Sequence, residues 1–307
     1  MASNRQAATA NPILTNFAQG LTQDIAAGLA DFLAPPVQVS ATIGHFKKFD
    51  DKNMFQVPDS ARAIGGPARR IEFDASDPTY NCKPQALEIA IDDAEREAAG
   101  SEDPIIVEQA KTRVLVNAAI LSHESKVIAA VKAGVSAVSG RGEWSNAAID
   151  PIDQIDEQIE AIVTTCGRMP NRIALGIGAW RKLRANTKVK SRVAGNALSF
   201  NLQDFAAVTL NPSIEIKVGV LAYDTTKFPA TKSSANIVGD ECFLFYASPT
   251  PSTYDPSFAK TFMGGNRGIT AVYLYRADSN RSDILALDWS EDIQVIATSC
   301  VKRLSIT

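Results

Sequence analysis

Residues 104–133 carry an unbroken helical signal about thirty residues long, and any fold of this chain must accommodate it. Asp103 has the side chain of a helix cap, and Pro104 suits the first turn, where its missing N–H costs nothing. Val107, Val114, Leu121 and Ile128 recur at every seventh position, with Ala110, Ala118 and Val131 widening the apolar stripe and Gly134 closing it. At ~1.5 Å per residue the segment predicts one helix of ~45 Å. A compact chain of 307 residues has a radius of gyration of only ~19 Å. Such a helix nearly crosses the body and must act as its spine. A coiled coil is the alternative, but Asn117, Ser125 and the alanines make a poor leucine seam.

The flanking segments differ in kind. Leu14, Phe17, Leu21, Ile25, Leu29 and Phe32 predict an amphipathic helix over 11–33, stopped by Pro35-Pro36. It packs either on its own core or, as an arm, on a neighbour. Over 37–80, strand-forming residues (Val37, Val39, Phe46, Phe49, Phe55, Val57, Ile71, Phe73) surround a turn-rich run from Pro58 to Pro67. Arms of about ten residues would give this hairpin a reach of ~33 Å. Asp150 and Pro151 open a second helix, ended by Gly167. Beyond it, strands are expected at 171–175, 214–223 and 242–246, and helices at 180–185 and 202–208. The closing run predicts strands at 269–275, 284–289 and 293–300, with a first turn at 278–283.

Composition narrows the function classes. With 45% hydrophobic and 21% charged residues the chain reads as an ordinary globule, and a net charge of −3 gives no global excess of basic charge for a dedicated nucleic-acid binder. No run of 18 consecutive apolar residues argues for a membrane span. Cys82, Cys166, Cys242 and Cys300 lie far apart with no CxxC, and they are expected as reduced thiols. Histidine occurs only at 45 and 123. His123-Glu124 lacks the second histidine of a zinc-protease motif, since position 127 is Val. Ser299-Cys300-Val301-Lys302 has an acyl-enzyme spacing without its companion motifs. Gly176-Ile177-Gly178 lacks the third glycine of a dinucleotide loop. Asp92-Asp93 and Asp153…Asp156-Glu157 could attract a divalent ion, although acids near helix starts also serve the helix dipole. No catalytic constellation, cofactor or metal site emerges.

Four stretches, taken in order, resemble the major capsid proteins of tailed bacteriophages with the Hong Kong 97 type fold. They are Phe46-Lys47-Lys48-Phe49-Asp50, Tyr80-Asn81-Cys82, Met169 to Leu175 followed by Trp180 to Arg184, and Val238-Gly239-Asp240-Glu241-Cys242. The likeness covers roughly residues 40–307. It implies an α+β capsid fold: an N-terminal arm (1–45), an extended hairpin loop (46–80), and a peripheral domain (81–148 and 269–307) holding the spine helix. A mixed α/β axial domain (149–268) completes it.

The resemblance further implies a non-enzymatic shell protein of the virion, assembled in the host cytoplasm as pentamers and hexamers. Portal, scaffolding or decoration proteins would be its partners, with packaged DNA inside, bound without sequence specificity. Phe17, Leu21, Phe32, Arg62, Arg69 and Arg70 are the expected inter-subunit contacts. Some relatives lose a long N-terminal scaffolding segment; none is expected to be cleaved here. A nanocompartment shell carrying enzyme cargo, or an α/β enzyme binding a ligand near Gly176–Gly178, are the competing readings.

Overall fold

The strand Ser282–Val295 organises the first of two main sheets. On one side its first half pairs with Val272–Ala277 and its second half with Ala259–Gly264; on the other it pairs with Lys83–Asp92, all antiparallel. Pro36–Val39 joins Ala259–Gly264 in parallel. The computed structural model describes residues 28–49, 55–58, 60–62, 64–66, 68, 70–71, 75–98, 104–192, 201–226, 230–265, 269 and 271–307. Of the helix expected over 11–33, only its end, Ala30–Leu33, falls among them.

The spine exists as one helix, Pro104–Gly134. Leu115, Val116 and Ala119 pack on Ile91, Val272, Leu285, Leu287 and Trp289 of the sheet. Lys83–Asp92 turns alternate residues inward, as a strand covered on one face must. The expected seven-residue stripe holds in part: Ile128 and Val131 are buried and Val107 and Leu121 pack on the core, but Val114 is 61% exposed and Ala110 and Ala118 are exposed, while Thr112, Leu115, Val116, Ala119, His123 and Val127 are buried instead. A straight helix drifts ~20° per heptad against a strict repeat of seven, so the true seam follows the 3.6-residue period. By length and composition the helix could cross a membrane. Here its apolar face is occupied by the sheet, and the same face buries His123 and Glu124.

The second sheet runs Val301–Ser305, Glu241–Phe245, Arg172–Gly176, Glu215–Gly219. Glu241–Phe245 is buried at every position, as a central strand covered on both faces should be. Local chemistry sets its helices. The Asp150 side chain accepts the Ile152 N–H, Pro151 occupies the first turn, and Gly167, left-handed at φ 68°, ends Pro151–Cys166. Leu202–Val208 starts on a reciprocal cap between Asn201 and Asp204.

Three expectations change. The strands expected at 284–289 and 293–300 are one strand, Ser282–Val295, followed by Val301–Ser305. Ser290-Glu291-Asp292 reads as a polar break, but the Ser290 hydroxyl donates to the Gly264 carbonyl and Glu291 is paired inside, so the ladder continues. Strand pairing also crosses the expected boundaries at 268 and 269: Ala259–Gly264 belongs to the first sheet, and Val301–Ser305 closes the second. Finally, Cys166 and Cys300 are not both thiols; they form a disulfide across 134 residues. Cys82 and Cys242 are free and buried. The pair joins the end of one helix to the turn before the last strand, a proximity that sequence distance hides. Protein purified without reductant and then denatured should label at two thiols, and at four after reduction. Cys166→Ser should cost about 2–5 kcal/mol of stability, since the bridge closes a long loop. Four labelled thiols without reductant would contradict the bond.

Candidate subunit interface

Two short antiparallel ladders build the base of the hairpin: Ile43–His45 on Thr79–Asn81, and Lys48–Phe49 on Ala75–Ser76. Phe46 and Tyr80 anchor it by packing on Phe262, with ring centroids at 5.2 and 4.8 Å. Gly44 is required there, because a Cβ would lie 2.4 Å from the Tyr80 hydroxyl. Lys47 and Asp77 bridge the two arms at 2.6 Å, but both are about half exposed, so the pair contributes little. Beyond the base the loop presents apolar side chains to water: Val57 is 97% exposed, Ile64 107% and Ile71 62%. Apolar groups of this size clustered on one exposed segment mark a surface that gains by being covered. Arg62 and Arg70 lie among them, exposed, and neither has an ion-pair partner among the described residues. Arg69, Phe17 and Leu21 fall outside the described residues.

Phe32 is different and needs correction as a contact residue. It is 6% exposed, meets Phe245 edge-on at 5.7 Å, and carries the Arg172 guanidinium over its ring at 4.8 Å. Pro36 begins a strand of the first sheet, and the described residues just before it, Leu29 to Ala34, pack in the core. Glu124 of the spine holds the same segment by accepting the N–H groups of Leu29 and Ala30 at 2.7 and 2.8 Å. Those are donors at the start of a helix, where no backbone partner exists. Burial pushes the Glu124 carboxyl above its ordinary range, although these two N–H groups oppose the shift.

Beside it, His123 Nδ1 lies 2.6 Å from Glu291 Oε2, and Lys126 donates to Glu291 Oε1 at 2.9 Å. Asp31 stands 3.8 Å from His123 Nε2 and acts as a nearby charge. Burial alone would depress the imidazole pKa, but Asp31 and Glu291 raise it to about 9. Burial alone would raise Glu291, but His123 and Lys126 lower it to about 2. This cluster joins helix, sheet and arm segment. In the sequence His123-Glu124 shows only an incomplete zinc-protease motif; the signal for this cluster is a charged pair standing in register with the helix's apolar side.

The remaining motifs are used by the fold. A Cβ on Gly176 would lie 1.8 Å from the Gly239 carbonyl oxygen, and one on Gly178 1.7 Å from Asp240, so both glycines let the 238–240 turn approach. Asp92 accepts the Ala94 N–H, Asp93 pairs with Arg276, Asp156 accepts the Leu210 N–H and Glu157 pairs with Arg141. Among the described residues no cluster of ligating side chains could hold a metal ion.

Comparison with known proteins places this architecture. No protein-family profile matches the chain. It is 26% identical over 265 residues, 82% of each chain, to the major capsid protein of Burkholderia phage BcepMu. A phage-related protein from Bordetella bronchiseptica RB50 superposes with a TM-score of 0.73 at 22% identity, over 98% of both chains. The capsid structure of cyanophage P-SCSP1u matches at 0.56 and 14% identity, over 90% of this chain and 86% of the other. The fold is therefore that of phage capsid proteins, mixed α+β. Within that class the sequence resembles a major capsid protein, a structural protein and not an enzyme.

Proposed function

We propose that this chain is the subunit of a tailed-phage capsid of the Hong Kong 97 type, assembling with itself into the icosahedral shell around a double-stranded DNA genome. The observation that carries the reading is the kinship to a phage major capsid protein across 82% of both chains. The hairpin supports it, because its apolar side chains Val57, Ile64 and Ile71 stand exposed and a second molecule would cover them. Closed symmetric assemblies supply such covers at every subunit, and many modest contacts then add up. Portal, scaffolding and decoration proteins are further partners on this reading, the virion is its location, and assembly takes place in the host cytoplasm. Residues 46–80 act as the extended loop, while the spine helix and first sheet form the peripheral part. Light scattering of the expressed full chain tests the reading. Species of capsomer size or larger are expected, and a folded monomer at every concentration would overturn it.

Two consequences concern the loop. Arg62, Arg69 and Arg70 are expected to meet carboxylates of an adjacent subunit. Exposed pairs contribute only ~0–1 kcal/mol each, but the loss repeats at every interface. Arg69→Ala with Arg70→Ala should lower particle yield and heat resistance while the subunit stays folded; wild-type values would contradict the contact. The loop end, Pro58 to Arg70, also contains no lysine, and Lys47, Lys48 and Lys52 lie at the loop base, away from its reach to a neighbour. A guanidinium keeps its proton and cannot attack an asparagine amide as a lysine amine can. Boiled, reduced particles should therefore give one gel band at 32.9 kDa. A ladder of linked multimers would show that covalent locking occurs.

A further inference from the structure

Charge is segregated along this chain. Residues 161–203 hold eight of the 31 lysines and arginines and none of the 34 acids, leaving 23 cations against 34 acids elsewhere. Four of the eight are engaged by the fold. Arg168 covers the Tyr246 ring, Arg172 pairs with Glu215, Lys182 with Asp240, and Arg192 with Asp150. The other four stand exposed on the consecutive helices Ile177–Ala185 and Thr187–Arg192: Arg181, Lys188 and Lys190, with Arg184, whose guanidinium lies 5.9 Å from the ring of Trp180 on its own helix. None of them has an ion-pair partner among the described residues. Leu183 and Val189 are buried and turn the opposite faces of these helices inward. An open groove beside Trp180, Arg181 and Arg184 continues the surface, and its carboxylate, Asp240, is neutralised by Lys182 at 2.9 Å.

Two kinds of partner could meet such a face. Contacts between protein copies need an apolar centre and are depleted in lysine. Here Ile177, 37% exposed, is the exposed large apolar side chain bordering the cations, while more strongly exposed ones lie elsewhere, on the hairpin and at Val114, Leu210 and Tyr254. A phosphate backbone needs only closely spaced Lys and Arg. We propose that Arg181, Arg184, Lys188 and Lys190 form the surface on which the subunit meets double-stranded DNA, through phosphates and without regard to sequence. The proposal rests on the shell reading, which puts DNA within reach. The acidic remainder of the chain repels the same polymer, so the segregation orients the subunit toward it.

The test uses the full chain and a 30-base-pair duplex of arbitrary sequence, with binding followed by fluorescence anisotropy over a salt series. Each phosphate contact contributes ~0.9 to the slope of log affinity against log salt. Arg181→Gln, Arg184→Gln, Lys188→Gln and Lys190→Gln combined should lower that slope by about 3–4. An unchanged slope, or a wild-type chain that does not bind the duplex, overturns the proposal. So does a folded variant that binds DNA normally but no longer assembles, which would assign the face to a neighbouring copy. Should the variant fail to fold, acetylation of the wild-type chain decides: DNA should protect Lys188 and Lys190, and equal labelling with and without DNA refutes the contact. Particle formation by the wild-type chain is scored separately, so failure of the shell reading is distinguishable from failure of this one.

Discussion

Glu291→Ala should be among the most damaging single substitutions in this subunit, at about 3–5 kcal/mol. The carboxylate is 5% exposed and takes His123 and Lys126 on its two oxygens. Removing it leaves a buried imidazolium without its hydrogen-bonded carboxylate, with Asp31 and Glu124 as nearby acids, so the cost is mainly that of a poorly compensated charge. The pH dependence follows from the same contacts. His123 is raised from 6.5 to about 9, so its contribution is complete below pH 6.5 and is lost as pH rises through 9. Glu291 is lowered from 4.5 to about 2, so its contribution is complete above pH 4.5 and is lost as pH falls through 2. The cluster therefore stabilises most between about pH 4.5 and 6.5. Denaturant unfolding across pH checks this. In Glu291→Ala the loss of stability toward pH 9 should flatten. A variant within 1 kcal/mol of wild type, with the alkaline limb intact, would contradict the role given to the cluster.

Glu124→Ala should cost about 2–5 kcal/mol, because it strands two N–H donors in a site that water does not reach. The effect has a location as well as a size. Amide exchange should accelerate at Leu29 and Ala30, while Ile155 and Ile159, in the core of the second helix, keep their protection. Glu124→Gln separates charge from hydrogen bonding: its carbonyl oxygen can accept only part of what two carboxylate oxygens accept, so an intermediate loss is expected. Unchanged exchange at Leu29 and Ala30 in Glu124→Ala would mean that the Pro35-Pro36 junction alone holds the segment.

What the sequence reveals follows the range of the interaction. Local devices are legible: Asp150, Pro151 and Gly167 delimit their helix, and Leu202–Val208 lies where its pattern puts it. The spine is legible as an element and only in part as a face: Val107, Leu121 and Ile128 meet the core, but Val114 does not, because a seven-residue spacing is not the helix's own period. Pairings between distant residues are not legible. Cys166 meets Cys300 across 134 residues of chain, and His123 meets Glu291 across 168. Glu291 shows the consequence: a charge that reads as a strand break becomes interior once its partners arrive. The arginines of the loop were visible as candidates, whereas the basic helices were masked by a net charge of only −3. Composition averages away a segregation that the ordered sequence preserves.

Electron microscopy of the purified full-length chain tests the central claim most directly. Closed shells of uniform diameter are expected, with subunits arranged as pentamers and hexamers and the hairpin of each, including Val57, Ile64 and Ile71, covered by a neighbour. Discrete folded monomers or dimers at high protein concentration, with the hairpin still exposed to solvent, would contradict it.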